Sequence, residues 1–338
     1  MLSFSLCSGS SGNSTYVGTS SACLLIDCGL NGRQLARALN AYDLDPGELD
    51  AILLTHEHVD HYSGVGVAMR RYDIPLYLTE KTYLAVKSSL GEIDEARVHL
   101  ITAGQPFAVR DTEILPFSTP HDAADPVGFR VIDRSGDIGV CTDLGYFSRD
   151  VRTALRGCRI IFLEANYDVE MLETGPYPRF LKQRIAGRQG HLSNVDAGEA
   201  AAWLVRYGAE AISLSHLSEN NNRPGRAMVT VREALLKYGI RAGRDCLIQT
   251  SPRYTCSPSF ESEAPMIEHT RFQCEKTSKQ RGEQMSFLPR EDTSSDCRSL
   301  QMGVEQDTDS ICTEQKRFAN DTPESSDVSS GCAESRVG

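Results

Sequence analysis

The feature that most constrains this chain is a run of four potential metal ligands directly after a short apolar segment. Residues 51–55 read A-I-L-L-T, which predicts a buried strand that ends at the rim of a sheet. His56, His58, Asp60 and His61 follow this segment immediately. Because alternate residues of an extended chain point the same way, His56 and His58 can approach one ion together. Asp60 and His61 come as the chain turns, so they can face a second ion.

Imidazole and carboxylate ligands in one cluster suit zinc, manganese or iron. The stretch does not fit the helical zinc-protease pattern H-E-x-x-H, because Asp60 stands where that pattern requires its second histidine. The alternative interpretation is a chance cluster of polar residues in a loop. The whole chain contains only 8 histidines, and this short stretch holds His56, His58 and His61. We therefore interpret the stretch as a metal site.

Segments with strand character alternate along the chain with segments of helical spacing, which predicts an α/β fold. Further candidate site residues lie directly after predicted strands, where α/β folds place their sites. They are His121, Asp143, Glu164 and His216. His191 precedes a predicted helix over residues 195–207. The Gly/Ser-rich stretch 8–13 is predicted to be a flexible loop, and Asp27 is interpreted as a turn-former or a support for a ligand.

The composition describes a mildly acidic chain with no predicted membrane contact. The net charge is −11, and no stretch approaches the roughly 18–20 apolar residues of a membrane span. The N-terminus lacks the basic flank and cleavage site of a signal peptide. The 11 cysteines are odd in number and form no C-x-x-C pair, which is typical of reduced thiols. These features predict a cytoplasmic protein.

The character of the sequence changes sharply after Tyr254. Ser, Thr, Glu and Asp dominate the remaining residues, and no sustained apolar periodicity occurs among them. Such a segment cannot bury enough apolar surface to offset the entropy lost when it becomes ordered. We therefore predict one folded domain over residues 1–254 and a disordered, low-complexity tail over residues 255–338.

In their order along the chain, these motifs resemble those of the metallo-β-lactamase fold. The distinctive element is T-H-E-H-V-D-H at residues 55–61, and the match spans essentially all of residues 1–254. The resemblance implies an αββα sandwich with two divalent metal ions, zinc or manganese, at one sheet edge. It implies three sets of ligands: His56, His58 and His121 for the first ion, Asp60, His61 and His216 for the second, and Asp143 as the bridge. Histidine rather than glutamate at position 58 favours the hydrolases over the di-iron branch.

Shorter segments indicate which enzymes of this fold the chain resembles most. Residues 163–165, L-E-A, resemble the H-E-A-T segment of ribonuclease Z, with Leu163 in place of its histidine. Residues 190–193, G-H-L-S, resemble the H-S-T segment of the same enzymes. This likeness implies that His191, with Glu164 behind it, assists proton transfer to the leaving oxygen. The segments S-G-S-S-G-N-S, T-G-P-Y-P, G-H-L-S-N and S-H-L-S-x-x-N-N look most like the YycJ/WalJ-type DNA exonucleases.

The resemblance as a whole implies a metal-dependent phosphodiesterase, and more narrowly a 5′ to 3′ DNA exonuclease linked to DNA repair. In such an enzyme the nucleophile that attacks the phosphorus is a hydroxide, which two metal ions activate and Asp60 orients. Two alternatives stay open. One is a small-molecule hydrolase of the same fold that acts on a cyclic phosphodiester, thioester or lactone. The other is a catalytically silent repair adaptor that binds nucleic acid.

Residues 179–188 carry four basic side chains and no acidic one. The basic residues are Arg179, Lys182, Arg184 and Arg188. One interpretation is a solvated helix face, which is common for such runs. The other is a surface that faces the phosphates of a nucleic acid.

One patterned segment occurs in the predicted tail: Gln284, Met285, Ser286, Phe287 and Leu288. It resembles the short Gln-led peptides by which bacterial repair and replication proteins bind the sliding clamp. In that interpretation Gln284 is hydrogen-bonded in a small pocket while the apolar side chains fill a groove, and the peptide orders on binding. The alternative is an accidental apolar cluster in a long tail.

Overall fold

A computed structural model describes residues 1–261, which form two β-sheets of seven strands each. The strands of the first sheet are β1 (Leu2–Cys7), β2 (Ser14–Gly18), β3 (Cys23–Ile26), β4 (Ala51–Leu53), β5 (Leu76–Thr79), β6 (Val98–Ile101) and β14 (Phe260–Glu261). The strands of the second sheet are β7 (Phe107–Val109), β8 (Thr112–Ser118), β9 (Val127–Ile132), β10 (Ile138–Cys141), β11 (Ile160–Glu164), β12 (Ala211–Ser215) and β13 (Leu247–Thr250).

Each sheet has an antiparallel part and a parallel part. The strand order is β14-β1-β2-β3-β4-β5-β6 in the first sheet and β13-β12-β11-β10-β9-β8-β7 in the second. Neighbouring strands are parallel from β3 to β6 and from β10 to β13, and antiparallel elsewhere. The loops that follow β4, β8, β10 and β12, the last residue of β11 and the loop between α7 and α8 carry the candidate site residues. They meet at one edge of the two sheets.

Nine α-helices occur in the described residues. They are α1 (Gly32–Asn40), α2 (Val59–Tyr62), α3 (Val65–Tyr72), α4 (Glu80–Val86), α5 (Arg149–Leu155), α6 (Val169–Thr174), α7 (Arg179–Ile185), α8 (Asn194–Arg206) and α9 (Pro224–Lys237). Single 3₁₀ turns occur at Pro46–Glu48, Lys87–Ser89 and Glu95–Arg97. Within residues 1–261, no helix has both the length and the apolar character that a membrane crossing requires.

Apolar clusters lie on both faces of each sheet, and the helices cover the outer faces. Leu35 of α1 and Val65 of α3 belong to the cluster outside the first sheet. Ala200 of α8 belongs to the cluster outside the second sheet, with residues of α5 and α9. Between the sheets, Leu53 and Phe129 share a third cluster. The described chain is therefore the α/β/β/α sandwich that the resemblance implied.

The segment before the metal-ligand run is buried on both sides, as its sequence predicts. Ala51 and Leu53 pack in the cluster between the sheets, whereas Ile52 and Leu54 pack in the cluster under the outer helices. This alternation is what a strand with two apolar faces requires. The ladder pairing ends at Leu53, two residues before the predicted end of the strand. The ligand run therefore begins on a backbone held by both layers.

The folded part of the chain continues past Tyr254, the boundary predicted from composition. Ser257 exchanges hydrogen bonds with Ser5, and β14 pairs antiparallel with β1. The composition-based boundary was thus set too early, because a two-residue strand leaves no periodic apolar signal. Residues 262–338, with the predicted clamp-binding segment at Gln284 to Leu288, lie outside the described residues.

Candidate metal centre

The first set of converging side chains is His56, His58 and His121. Nε2 of His56 lies 3.0 Å from Nδ1 of His58, and Nε2 of His121 lies 3.3 Å from the same atom. Two nitrogens bound to one tetrahedral zinc, each about 2.05 Å from the metal, are about 3.3 Å apart. The three nitrogens therefore have the mutual spacing of ligands on one ion.

The second ring nitrogens of His56 and His121 are already hydrogen-bonded. Nδ1 of His121 donates to the carbonyl oxygen of Gly190 at 3.0 Å. Nδ1 of His56 lies 2.9 Å from Oγ1 of Thr55, whose own proton goes to Asp27. These partners fix both rings with a bare lone pair on Nε2. A single proton on His58 can satisfy only one of the two lone pairs, whereas a cation at their centre satisfies both.

Asp60, His61 and His216 form the second set. Oδ2 of Asp60 lies 3.6 Å from Nε2 of His61 and 3.5 Å from Nε2 of His216. Nδ1 of His61 is 2.7 Å from a carboxylate oxygen of Asp27. Asp27 was interpreted from the sequence as a turn-former or a support for a ligand, and its contact to His61 is of the second kind. A carboxylate behind a histidine fixes the tautomer that presents Nε2 to a metal.

Asp143 lies between the two triads. Its Oδ2 is 3.3 Å from Nε2 of His61, and its Oδ1 is 3.7 Å from Nε2 of His121. Among the described residues, Oδ2 of Asp143 and Nε2 of His216 are buried atoms without a hydrogen-bond partner. Orphaned buried polar atoms are costly unless an ion or water satisfies them. Their position at the centre of the cluster fits a metal ion.

Three residues of the cluster and its support adopt left-handed backbone conformations. The φ angles are +60° for Asp27, +58° for Asp143 and +55° for His216. Residues other than glycine rarely adopt this region, although aspartate and histidine do so more readily than most. Each of these residues comes within two positions of the end of a strand, so the left-handed turn redirects its side chain from the sheet into the cluster.

Glu164 joins the second triad to His191. Its Oε1 lies 2.8 Å from Nδ1 of His216 and 2.9 Å from Nδ1 of His191. Its Oε2 accepts hydrogen bonds from the backbone N–H groups of Leu144 and Leu192 at 3.0 and 2.9 Å. The carboxylate is fully buried, so all four contacts replace lost water. The structure therefore brings Glu164 and His191 together with the predicted ligands.

The N-terminal loop also reaches the cluster, which the sequence reasoning missed. Nδ2 of Asn13 lies 3.1 Å from Oδ2 of Asp60, and the side-chain oxygen of Asn13 accepts from the N–H of Gly9. Oγ of Ser8 accepts from the backbone N–H of His216 at 2.7 Å. The loop predicted to be flexible is thus fastened to both ends of the second triad. The S-G-S-S-G-N-S motif marks this loop in the sequence, but nothing in the motif indicates these contacts.

Comparisons with known proteins bear on this geometry. A family model described as a beta-lactamase superfamily domain matches residues 23–217, more than half of the chain. The chain belongs to the beta-lactamase superfamily. Exodeoxyribonuclease WalJ of Streptococcus pneumoniae is 38% identical over 258 residues, which cover 76% of this chain and 96% of the relative. Exodeoxyribonuclease YycJ of Bacillus anthracis is 37% identical over 238 residues, 70% of this chain and 90% of the relative.

Comparison with a solved structure supports the fold assignment of this superfamily member. The metallo-beta-lactamase fold protein YhfI from Bacillus subtilis matches 76% of this chain and 98% of its own, with a TM-score of 0.57 and 16% identity. The predicted metallo-β-lactamase sandwich is therefore confirmed. The predicted likeness to the YycJ/WalJ-type proteins is confirmed by the sequence identities.

The titration properties of the beta-lactamase superfamily site divide its histidines into two kinds. Burial lowers the pKa of His56 and of His121, which keeps both rings neutral and able to bind a cation. Burial also opposes charge on His61 and His216, but neighbouring carboxylates outweigh it. Asp27 and Asp143 raise the pKa of His61 well above its usual value, and the pKa of His216 rises to about 10. In the metal-free protein these two rings hold protons that a metal must displace.

The carboxylates of the site show the complementary behaviour. Burial would raise the pKa of Glu164, but the charges and hydrogen bonds of His191 and His216 outweigh it and lower the pKa to about 2. Burial also opposes charge on Asp60, yet the nearby imidazoles of His216 and His61 outweigh it and lower its pKa to about 2. The superfamily cluster therefore presents charged carboxylates, which suit hard or borderline divalent cations.

Proposed function

We propose that this chain is a metal-dependent exodeoxyribonuclease that degrades DNA in the 5′ to 3′ direction. The observation that carries the proposal is the convergence of two ligand triads on Asp143, in a chain similar over most of its length to relatives named exodeoxyribonucleases. The cluster supports metal-dependent hydrolysis. The relatives support DNA as the substrate.

The cluster has the residues to hold two divalent cations, for which we propose zinc or manganese. His56, His58 and His121 would hold the first, and Asp60, His61 and His216 the second, with Asp143 contacting both. Bound there, the cations would supply Lewis acidity and lower the pKa of a water molecule towards neutrality. The unpartnered Nε2 of His216 and the unpartnered Oδ2 of Asp143 support this assignment.

We assign two proton-handling roles to side chains of the site. Asp60 is charged at neutral pH and is the only partly exposed member of its triad, so it can accept a hydrogen bond from the attacking water and orient it. His191 is 21% exposed, and its Nδ1 is held by Glu164, which leaves Nε2 to carry the transferable proton. Burial opposes charge on His191, but Glu164 outweighs it and raises the pKa, which favours an acid that protonates the leaving oxygen.

Three substrates test the proposal: 5′-phosphorylated duplex DNA, RNA of the same sequence and a chromogenic phosphodiester. The metal-loaded full chain is expected to degrade the DNA from its 5′ end, which end-labelled strands will show. Asp60→Ala is expected to abolish turnover of all three. Normal turnover by Asp60→Ala contradicts the two-metal mechanism, and hydrolysis of the chromogenic ester without DNA cleavage favours the small-molecule hydrolase.

His191→Ala tests the general-acid role. The variant is expected to keep its metal content but to lose roughly 10² to 10⁴ in the rate of DNA hydrolysis, the usual contribution of general acid–base catalysis. The chromogenic ester releases a leaving group that needs no proton, so its hydrolysis is expected to fall much less. His99→Ala, which removes an exposed histidine of β6, is the matched control. Loss of a metal ion from His191→Ala means that His191 is a ligand instead.

A further inference from the structure

Helix α7 stands on the surface of the domain without contributing to its core. No residue between Arg179 and Ile185 is buried, and the ring of Phe180 is 71% exposed. A helix of a folded domain normally buries an apolar stripe, because burial supplies most of its stability. The ring of Phe180 is therefore available for contact with a ligand.

The helix is fastened to two loops that carry site residues. Arg184 forms an ion pair with Asp122, the neighbour of His121. The carbonyl oxygen of Ile185 accepts a hydrogen bond from the N–H of His191 at 2.8 Å. Phe180 and Arg184 are four positions apart, so they lie on the same face, about 5–6 Å from each other. Phe180 is thus one helical turn from a side chain that is paired with the neighbour of His121.

Arg188 is held beside the residues that follow Asp143. A Cβ atom on Gly145 would lie only 2.3 Å from the backbone of Arg188, so the two chain segments are in close contact. The guanidinium of Arg188 stacks 4.2 Å from the ring centroid of Tyr146. Within residues 1–261, no carboxylate forms an ion pair with Arg188. Its charge is held in place next to the site and is available to an anion.

An open groove of about 430 Å³ lies beside Arg184 and Arg188. Its lining is formed by Asp122, Gln183, Arg184, Gly187, Arg188 and Gln189. The single carboxylate in the lining is neutralised by Arg184, so the groove keeps one net positive charge and two amide side chains. Groups of this kind suit phosphate oxygens, and an aromatic ring at the end of such a groove suits a nucleobase.

We propose that this groove and Phe180, together the α7 surface, bind the DNA strand whose phosphodiester lies at the metal centre. This inference rests on the proposed function. Arg188 contacts the phosphate next to the scissile bond, and Phe180 stacks on a base further along the strand. The combination of a positive groove with an exposed ring is the arrangement by which proteins bind single strands without reading sequence.

Two substitutions test the α7 surface: Phe180→Ala and Arg188→Gln, each in the metal-loaded full chain. Matched controls on α9 are Leu236→Ala, which removes an exposed apolar side chain, and Arg232→Gln, which removes an exposed charge. For each variant we compare kcat/KM on single-stranded DNA with kcat/KM on the chromogenic phosphodiester. Fluorescence anisotropy with a phosphorothioate strand, which resists cleavage, measures binding directly.

Phe180→Ala is expected to lower kcat/KM on DNA by about fivefold or more relative to the chromogenic ester, as loss of base stacking costs. Arg188→Gln is expected to weaken strand binding and to reduce the slope of log affinity against log salt by about 0.7, the value for one phosphate contact. The α9 controls are expected to behave as the native chain.

Three results overturn the inference. Equal losses on both substrates mean that α7 only supports the cluster. Unchanged DNA kinetics mean that the strand runs elsewhere, and a native chain that cleaves the chromogenic ester but binds no phosphorothioate strand has no surface for DNA. Failure of the native chain to cleave DNA while the strand still binds at Phe180 and Arg188 contradicts the proposed exonuclease activity instead, so the two failures are distinguishable.

Discussion

Replacing Glu164 by glutamine leaves the size of the side chain unchanged but removes two of its four acceptor roles. In the native chain one carboxylate oxygen accepts from two backbone N–H groups, and the other accepts from Nδ1 of His191 and of His216. An amide has one oxygen and one NH₂ group, so it can serve only one of these pairs. In Glu164→Gln, either the two backbone N–H groups or the two imidazole Nδ1 atoms must therefore face the NH₂ group, which is itself a donor.

The two possible orientations of the amide have different costs. If NH₂ faces the backbone, two buried N–H groups lose their acceptor at about 1–3 kcal/mol each, or about 2–6 kcal/mol together. If NH₂ faces the imidazoles, Nδ1 of His216 must accept, and its proton moves to Nε2. The second orientation keeps the backbone satisfied, so we expect it to prevail. A proton on Nε2 of His216 blocks the atom that faces Asp60.

Metal content is the decisive measurement for Glu164→Gln. Weakening the carboxylate support of a metal-binding histidine typically costs 10- to 100-fold in affinity. Because His56, His58 and His121 make no hydrogen bond to Glu164, only the second ion is expected to be lost. After equilibration with a competing chelator, elemental analysis is expected to give about one ion per chain instead of two. Glu173→Gln, which changes an exposed carboxylate, is the control. Two ions and native DNA turnover in Glu164→Gln refute the reasoning.

Four further predictions concern the second triad and its support. Asp27→Asn is expected to lower the affinity of the second ion by about 10- to 100-fold, measured by competition with a chelating dye. The raised pKa of His216, about 10, stabilises the metal-free protein fully below its ordinary value of 6.5, and this stability is lost as pH rises through 10. Metal affinity has the opposite trend and falls towards acid pH; calorimetry in two buffers is expected to show protons released on binding. Asn13→Leu, which leaves Asp60 without its amide donor, is expected to lower kcat more than it raises KM in steady-state kinetics.

The sequence predicted which ligand candidates come together because their signal is local. His56 to His61 stand together after an apolar segment, and the remaining candidates each follow a predicted strand. The strand pattern then decides that the loops meet, since parallel strands end at a common edge. The contributions that stayed hidden are those of long-range partners. Nothing near Asn13 in the sequence indicates that its amide contacts Asp60, 47 positions away.

Backbone conformation was equally hidden. The left-handed turns at Asp27, Asp143 and His216 are imposed by the surrounding layers, and the sequence offers no glycine to mark them. The same applies to the position of Glu164, whose four partners come from three separate loops. Composition also failed to predict β14, because two residues are too few to show a period. In each case tertiary contacts determine the conformation, and local sequence propensity does not predict it.

The pairing of β14 with β1 has a consequence for how this protein behaves when its end is removed. β1 would otherwise be the outer strand of the first sheet, and its backbone groups would be free to pair with another chain. Ser257 and Phe260 occupy those groups over Ser3 and Ser5. A chain cut after Tyr254 therefore exposes the unpaired backbone edge of β1 and is expected to self-associate. A chain cut after Glu261 keeps this edge paired. These few residues are therefore expected to keep the sheet from associating with other chains rather than to take part in catalysis.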